Sequence, residues 1–270
     1  MTSVNTNVGA QIALQSLQTT QFNLSNTQNR ISTGLRITSP VDDAADFAIA
    51  QGLRSNLTAF TAVQQSLSSA TGILSVAIAG ATSVSNLLAN IQNSAIQASN
   101  PSNTASQQSI LASQFTAQLQ QLNTFISNSV YNGLNLLSAG AAGVTITSTI
   151  SGGQLTIAAA SSVSGVSTAL AGGVQTTAAA LALLSTITAQ QLVVGTALGS
   201  LGASQNSINF LTTFTQTLST AVSQGLGSLV DANLAQESAK LQALQVQQQL
   251  GVQALSIANA RPQILLNLFR

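Results

Sequence analysis

Positions 55 to 230 contain no charged residue. The charges sit on either side of that span. Arg30, Arg36, Asp42, Asp43, Asp46 and Arg54 precede it, and Asp231, Glu237, Lys240, Arg261 and Arg270 follow it. A soluble monomer keeps about a quarter of its residues charged, against 4% here. The pattern fits two chain ends that meet each other, in a molecule mostly surrounded by copies of itself.

Composition removes whole classes of chemistry. Cysteine and histidine are absent, which excludes disulfides, thiol nucleophiles, zinc sites and histidine acid–base catalysis. No basic cluster exists to neutralise phosphates, so no nucleic-acid partner is expected. Asp42, Asp43 and Asp46 have no further carboxylate near them in sequence until Asp231. Neither a metal site nor an acid–base pair is expected from them. Lys240 is the one lysine and lies in an amphipathic pattern, so no nucleophile, base and orienting group can be assembled. The chain is therefore expected not to be an enzyme and to carry no cofactor. Ser, Thr, Gln and Asn interrupt every apolar run, so no membrane span is expected. The opening MTSVNTNVGAQIALQSLQTTQ lacks a basic region and a continuous apolar core, so no signal peptide is expected either.

The apolar spacing predicts long helices. Ala10, Leu14, Leu17, Gln21, Leu24, Gln28, Ile31 and Leu35 alternate by three and four, a coiled-coil seam with Gln21 and Gln28 inside it to fix register. The helix signal stops near Gly34, and Pro40 marks a break. Asp42, Asp43 and Asp46 then suit a helix start. A seam resumes at Leu53, Leu57, Phe60, Gln64 and Leu67. After one slip it continues through Ala70, Leu74, Ala77, Ala81, Val84, Leu88, Ile91, Ala95 and Ala98. Asn100-Pro101 ends it, and Leu111, Phe115, Leu119, Leu122 and Ile126 predict a helix folding back antiparallel.

Residues 131–175 read differently. Tyr131-Asn132-Gly133 is a turn, and Val144–Ile150 with Gln154–Ile157 around Ser151-Gly152-Gly153 predict a β-hairpin. The rest of that section reads as loop or short strand. A third long helix is predicted over 176–226, facing inward through Leu184, Ile187, Gln191, Val194, Leu198, Leu201, Gln205, Ile208, Leu211, Phe214, Leu218 and Val222. Gly195, Gly199 and Gly202 weaken it and predict a close helix–helix approach. The last helix, from about Leu229, has one face of Leu234, Leu241, Leu244, Gly251 and Leu255. A second face holds Val246, Leu250, Ala254 and Ile257, and Pro262 is expected to break the pattern. The predicted fold class is mainly α: long antiparallel helices in a coiled-coil rod with a small β-hairpin region.

In order along the chain, Val4-Asn5-Thr6-Asn7, Arg30-Ile31-Ser32-Thr33-Gly34-Leu35-Arg36-Ile37, Asp42-Asp43-Ala44-Ala45, Tyr131-Asn132-Gly133, Asp231-Ala232-Asn233-Leu234-Ala235, Ala258-Asn259 and Pro262-Gln263 form one set. In these segments the chain resembles bacterial flagellin, the subunit of the flagellar filament, in a short form without large outer domains. The resemblance implies a secreted, extracellular homopolymer for swimming motility. It implies export unfolded through the type III flagellar apparatus, an export chaperone and a filament cap as partners, and termini that fold on assembly. It implies a division into a core helix 1–35, a connecting segment 36–54, outer-tube helices over 55–130 and 176–226, a hairpin region 131–175 and a core helix 227–270. Polymer contacts are then expected at Leu14, Leu17, Leu24, Ile31, Leu241, Leu244, Leu255, Ile257, Leu266 and Leu268, with Arg30, Arg36, Asp42, Asp43 and Arg54 in the connecting segment. Asn90, Gln92, Asn93, Ser94 and Gln114 stand where many flagellins carry the residues read by an animal innate-immune receptor. Weak or absent activation is expected. A hook–filament junction protein, another minor axial protein or a secreted helical binding protein is the alternative.

Overall fold

The computed structural model describes residues 6–268, and their side chains as far as residue 260. The elements are α1 (Val8–Thr33), α2 (Ala44–Ala98), α3 (Ala105–Asn128), β1 (Val144–Thr147), β2 (Gln154–Ile157), a 3-10 turn (Ser161–Ser164), α4 (Gly165–Ala169), α5 (Thr177–Val230) and α6 (Leu234–Leu268). They form two compact units. One comprises residues 1–56 and 221–270, and the other residues 57–220.

The unit of residues 57–220 holds the main core. The α2 seam is buried nearly throughout, from Phe60 and Leu67 through Ala70, Leu74, Ala81, Leu88, Ile91 and Ala98. Small and large side chains are mixed along it, so neighbouring helices can pack tightly. Thr104 and Gln107 start α3 with a reciprocal capping box, which satisfies two backbone donors at the helix end. Phe115, Leu122 and Ile126 then enter the core, with Leu111 and Leu119 half-buried beside it. Antiparallel α2 and α5 are tied by two amide pairs, Gln64–Gln216 at 2.8 Å and Gln92–Gln191 at 3.1 Å.

On α5 the buried line is Ile187, Val194, Leu201, Ile208 and then Thr215. Phe214, expected inside, lies outside at 59% exposure. The strict seven-residue period carries Thr215 inward and leaves Phe214 one step off the seam.

The hairpin is present in the register Val144↔Ile157 to Thr147↔Gln154. Its first strand ends at Thr147, three residues short of Ile150, because Thr149 turns the chain. The Thr149 hydroxyl accepts from Gly153 N at 2.8 Å, and its carbonyl accepts from Gly152 N at 3.2 Å. The section expected as loop or strand is partly helical. Val163, Val166, Leu170 and Val174 are all buried, at spacings of three, four and four.

The close approach expected at Gly195, Gly199 and Gly202 is absent: a Cβ on any of them would meet nothing within 4 Å. It occurs instead at two glycines of α2. A Cβ on Gly72 would lie 2.5 Å from Tyr131 Cζ, and one on Gly80 would overlap the Ser129 side chain. The segment leaving α3 therefore lies directly against the α2 backbone. It turns there through Asn132 (φ 48°) and Gly133 (φ 81°), closed by paired Tyr131–Leu134 backbone bonds of 2.9 Å.

Helix α2 begins at Ala44, directly after Asp42 and Asp43, where a helix start was expected, whereas α6 is not broken at Pro262 and runs through it to Leu268. Proline removes one backbone donor, and here the helix continues past that lost bond. The polar interruptions of the apolar runs leave two helices with a high mean hydropathy all the same. Helices α2 and α5 are each long and apolar enough to cross a bilayer by length and composition. Of those apolar stretches, 39% is buried inside the chain in α2 and 22% in α5.

Candidate self-association surface

In the unit of residues 1–56 and 221–270, α1 and α6 pair antiparallel. Three contacts set the register. Asn7 Nδ2 donates to Ala258 O at 2.8 Å, Leu17 Cδ1 lies 3.2 Å from where a Cβ on Gly251 would be, and Arg30 Nη1 meets Glu237 Oε1 at 3.3 Å. Asn7 also caps α1, its Oδ1 accepting from Ala10 N at 3.1 Å. The residues turned inward on α1 are Ala10, Ala13, Leu17, Thr20, Leu24, Thr27 and Ile31. On α6 they are Glu237, Leu241, Leu244, Gln248, Gly251, Leu255 and Ala258.

Three of the eight expected α1 seam positions are thus displaced. Leu14, Gln21 and Gln28 are exposed, while Ala13, Thr20 and buried Thr27 take the places beside α6. Both patterns share Ala10, Leu17, Leu24 and Ile31, so both satisfy a three-four spacing. Small side chains on the flank let Leu17 settle against Gly251. The glutamines consequently do not fix the register, which falls to Asn7 and the Arg30–Glu237 pair. That pair is largely sheltered, with 30% and 12% of the two side chains exposed, and Glu237 Oε2 is buried without a partner.

Beyond the seam the two helices keep large apolar side chains in the open. Ile12 is 63% exposed, Phe22 67% and Ile257 65%, and Val8, Leu14, Val246, Leu250 and Val252 are exposed with them. Large apolar side chains left uncovered together are a feature of protein interaction sites in general. Of the expected contact residues, Leu17 and Leu244 are buried within the pair. Leu24, Ile31, Leu241 and Leu255 are half-buried, and Leu14 and Ile257 are exposed. The side chains of Leu266 and Leu268 lie outside the described residues.

The charged stretch folds onto the end of α5. Gly34 takes a left-handed conformation (φ 72°) that ends α1. Residues 34–36 then pair with 230–232: Arg36 N donates to Val230 O at 2.7 Å, and Ala232 N to Gly34 O at 2.8 Å. The Arg36 guanidinium reaches Leu229 O at 2.7 Å and Asp46 at 3.2 Å. Asp43 caps α2 by accepting from Ala45 N and Asp46 N. One Asp42 oxygen accepts from the backbone and hydroxyl groups of Thr38 and Ser39. These bonds, the Thr38 N–H first, hold the Asp42 carboxyl below its usual range. Ile37, Ala50 and Val230 form a small core under the loop, and Arg54 lies half-buried on α2. No group of three or more metal-binding side chains occurs among the described residues.

Of the five positions compared with the receptor-read surface, Asn90, Asn93 and Gln114 are exposed. Gln92 is half-buried and bonded to Gln191, and Ser94 is buried, its hydroxyl donating to Asn90 O.

Two family descriptions match this chain: the bacterial flagellin N-terminal helical region over residues 4–142, and the bacterial flagellin C-terminal helical region over residues 177–269. The chain belongs to the bacterial flagellin family. It is a structural, non-enzymatic subunit of the flagellar filament, outside the cell. Flagellin FljN of Caulobacter vibrioides is 39% identical over 271 residues, covering 100% of this chain and 99% of that one. A flagellin of Brucella melitensis is 33% identical over 284 residues, with 100% of both chains covered. The short flagellin is therefore matched end to end by these relatives. Among solved structures, a putative flagellar hook-associated protein from Vibrio parahaemolyticus shares the fold at TM-score 0.61 and 16% identity, over 70% of this chain and 100% of that one. The crystal structure of Bacillus cereus flagellin aligns at TM-score 0.50 and 19% identity, over 56% and 88%.

Proposed function

We propose that the open faces of α1 and α6 are the contacts through which copies of this flagellin pack in the filament core. The observation that carries this is the one-sided seam: a pair that buries Leu17 and Leu244 leaves Ile12, Phe22, Leu250 and Ile257 in the open. A two-helix unit with so much uncovered apolar surface has little reason to persist alone. Residues 1–35 and 227–270 accordingly fold fully on assembly and form the inner tube. Residues 36–54 connect inward to outward, with Arg36 bracing α5. Residues 55–130 and 176–226, with the hairpin region 131–175, form the outer tube. The chain is exported unfolded by the type III flagellar apparatus, with an export chaperone behind it and a filament cap ahead.

Seeded polymerisation followed by circular dichroism and negative-stain microscopy tests this. Wild type is expected to form long filaments with a gain of helix. Ile257→Arg places a charge on the open face, and its critical concentration is expected to rise at least about tenfold, the equivalent of 1.4 kcal/mol. Polymerisation of Ile257→Arg at the wild-type concentration would show that this face is not a contact.

The receptor-facing positions support a second expectation. Asn90, Asn93 and Gln114 offer neutral amides, Gln92 is occupied by Gln191, and Ser94 is inside. Monomeric protein on reporter cells is expected to give little or no innate-receptor response, and a strong response would sink this reading.

A further inference from the structure

The turn that leaves α3 holds a nucleophile and an electrophile side by side. Asn132 and Gly133 are its two central residues, both exposed and both at positive φ, 48° and 81°. Paired backbone bonds between Tyr131 and Leu134 close it, in the two-residue form that favours Asn-Gly. Those bonds use the groups of the outer residues, so Gly133 N donates no hydrogen bond. Glycine puts no side chain over that nitrogen, and a Cβ there would meet nothing within 4 Å. The other described asparagines outside the helices lack this combination. Asn7, Asn103, Asn135 and Asn233 are engaged through their side chains, and Asn100 precedes a proline, which has no amide N–H.

We propose that Asn132 is a self-modification site, converted to a carboxylate with Gly133 N as the nucleophile. The nitrogen gives its proton to hydroxide and attacks Asn132 Cγ. The new N–Cγ bond closes a cyclic imide, the Cγ–Nδ2 bond breaks, and ammonia leaves with a proton taken from water. Water then opens the imide at either carbonyl. Opening at Cγ leaves aspartate, and opening at the main-chain carbonyl leaves isoaspartate; nothing is oxidised or reduced. Attack needs Asn132 to rotate out of the turn, which local opening of an exposed segment allows. The product is the first charge in the unit of residues 57–220, and it takes the formal net charge from +1 to zero. Isoaspartate also adds a carbon to the main chain. That displaces the paired Tyr131–Leu134 bonds, and with them the Tyr131 ring lying on Gly72. A subunit outside the cell thereby carries a mark of its age. This proposal is independent of the filament contacts above.

Wild-type monomer incubated at neutral and at mildly alkaline pH tests this. Digested samples are read by mass spectrometry with fragmentation that separates aspartate from isoaspartate. The peptide holding Asn132 is expected to gain one mass unit, and to gain it faster at the higher pH. Asn206 is the internal comparison: it too is exposed, but the amide after it lies inside α5. Conversion of Asn132 is expected to be at least about tenfold faster than that of Asn206, whose helix must open first. Tyr131 is the one tyrosine of a chain without tryptophan, so its fluorescence is expected to change in step with the mass gain. Asn132→Gln is expected to keep the monomer's helix content and to lose both changes. Asn132 that stays intact in the folded protein, even if it converts in guanidinium, overturns the proposal. Conversion no faster than at Asn206 overturns it as well. Tyr131 fluorescence that ignores the mass gain overturns the displacement of the turn.

Discussion

Gly80→Leu is expected to destabilise the monomer by about 3 kcal/mol, the upper end of the usual range for overpacking. Even the first added carbon would overlap Ser129 and lie 3.0 Å from Leu137 Cδ1. Ser129 and Leu137 are both buried, so neither can swing into solvent. Alanine makes the sharper comparison. On helix propensity alone, Gly→Ala in a helix interior gains about 1 kcal/mol. Gly199→Ala is expected to show most of that gain, because its Cβ meets nothing. Gly80→Ala is expected to show a net loss. Guanidinium unfolding of the two variants beside wild type reads the difference directly. A Gly80→Ala protein as stable as Gly199→Ala would mean that the segment leaving α3 does not lie against α2.

Phe115→Ala is expected to lower stability by about 3–5 kcal/mol, the range for emptying a buried aromatic site. The chain has no tryptophan and one tyrosine, and Phe115 is 1% exposed in the main core. It belongs to a core cluster of buried Ala, Val, Leu and Ile side chains, and such close packing collapses only partly around an emptied site. Thermal unfolding followed by circular dichroism should show the loss, with Phe210→Ala as the exposed control near zero. Equal effects of the two substitutions would place Phe115 outside the core.

The α2 stripe was legible in the sequence because that helix is buried along one face by its own chain. Every seam position from Leu67 to Ala98 is buried, and periodicity alone finds them. The α1 seam was only half legible. Leu14 and Ala13 flank the same line through Ala10 and Leu17, and apolarity favours Leu14. The structure favours Ala13, because α6 comes in close at Gly251 and leaves the larger side chain facing outward. A rule that places leucine inside works when one chain supplies all the neighbours, and it loses discrimination when copies supply some of them. Glycines were ambiguous for a related reason. Gly72 and Gly80 are crowded while Gly195, Gly199 and Gly202 are open, yet all five interrupt equally apolar helices. What separates them is the path of residues 129–137, set by contacts distant in sequence. The helical piece at 161–169 was missed because its signal, Val163, Val166, Leu170 and Val174, is short and embedded among Ser, Gly and Ala.

Confinement of charge to one unit also decides how the molecule meets protons. Residues 57–220 hold no carboxylate, amine, guanidinium or imidazole, so acidification finds nothing there to neutralise and salt finds no ion pair to screen. The Arg36–Asp46 and Arg30–Glu237 pairs and the Asp42 turn all belong to the other unit. Asp42 binds its proton less readily when folded than when unfolded. Its turn is therefore stabilised above the ordinary aspartate range and loses that support as pH falls through its lowered value. Acid acts on one unit of this flagellin, by loosening the turn that leads into α2, while the uncharged unit is indifferent to it.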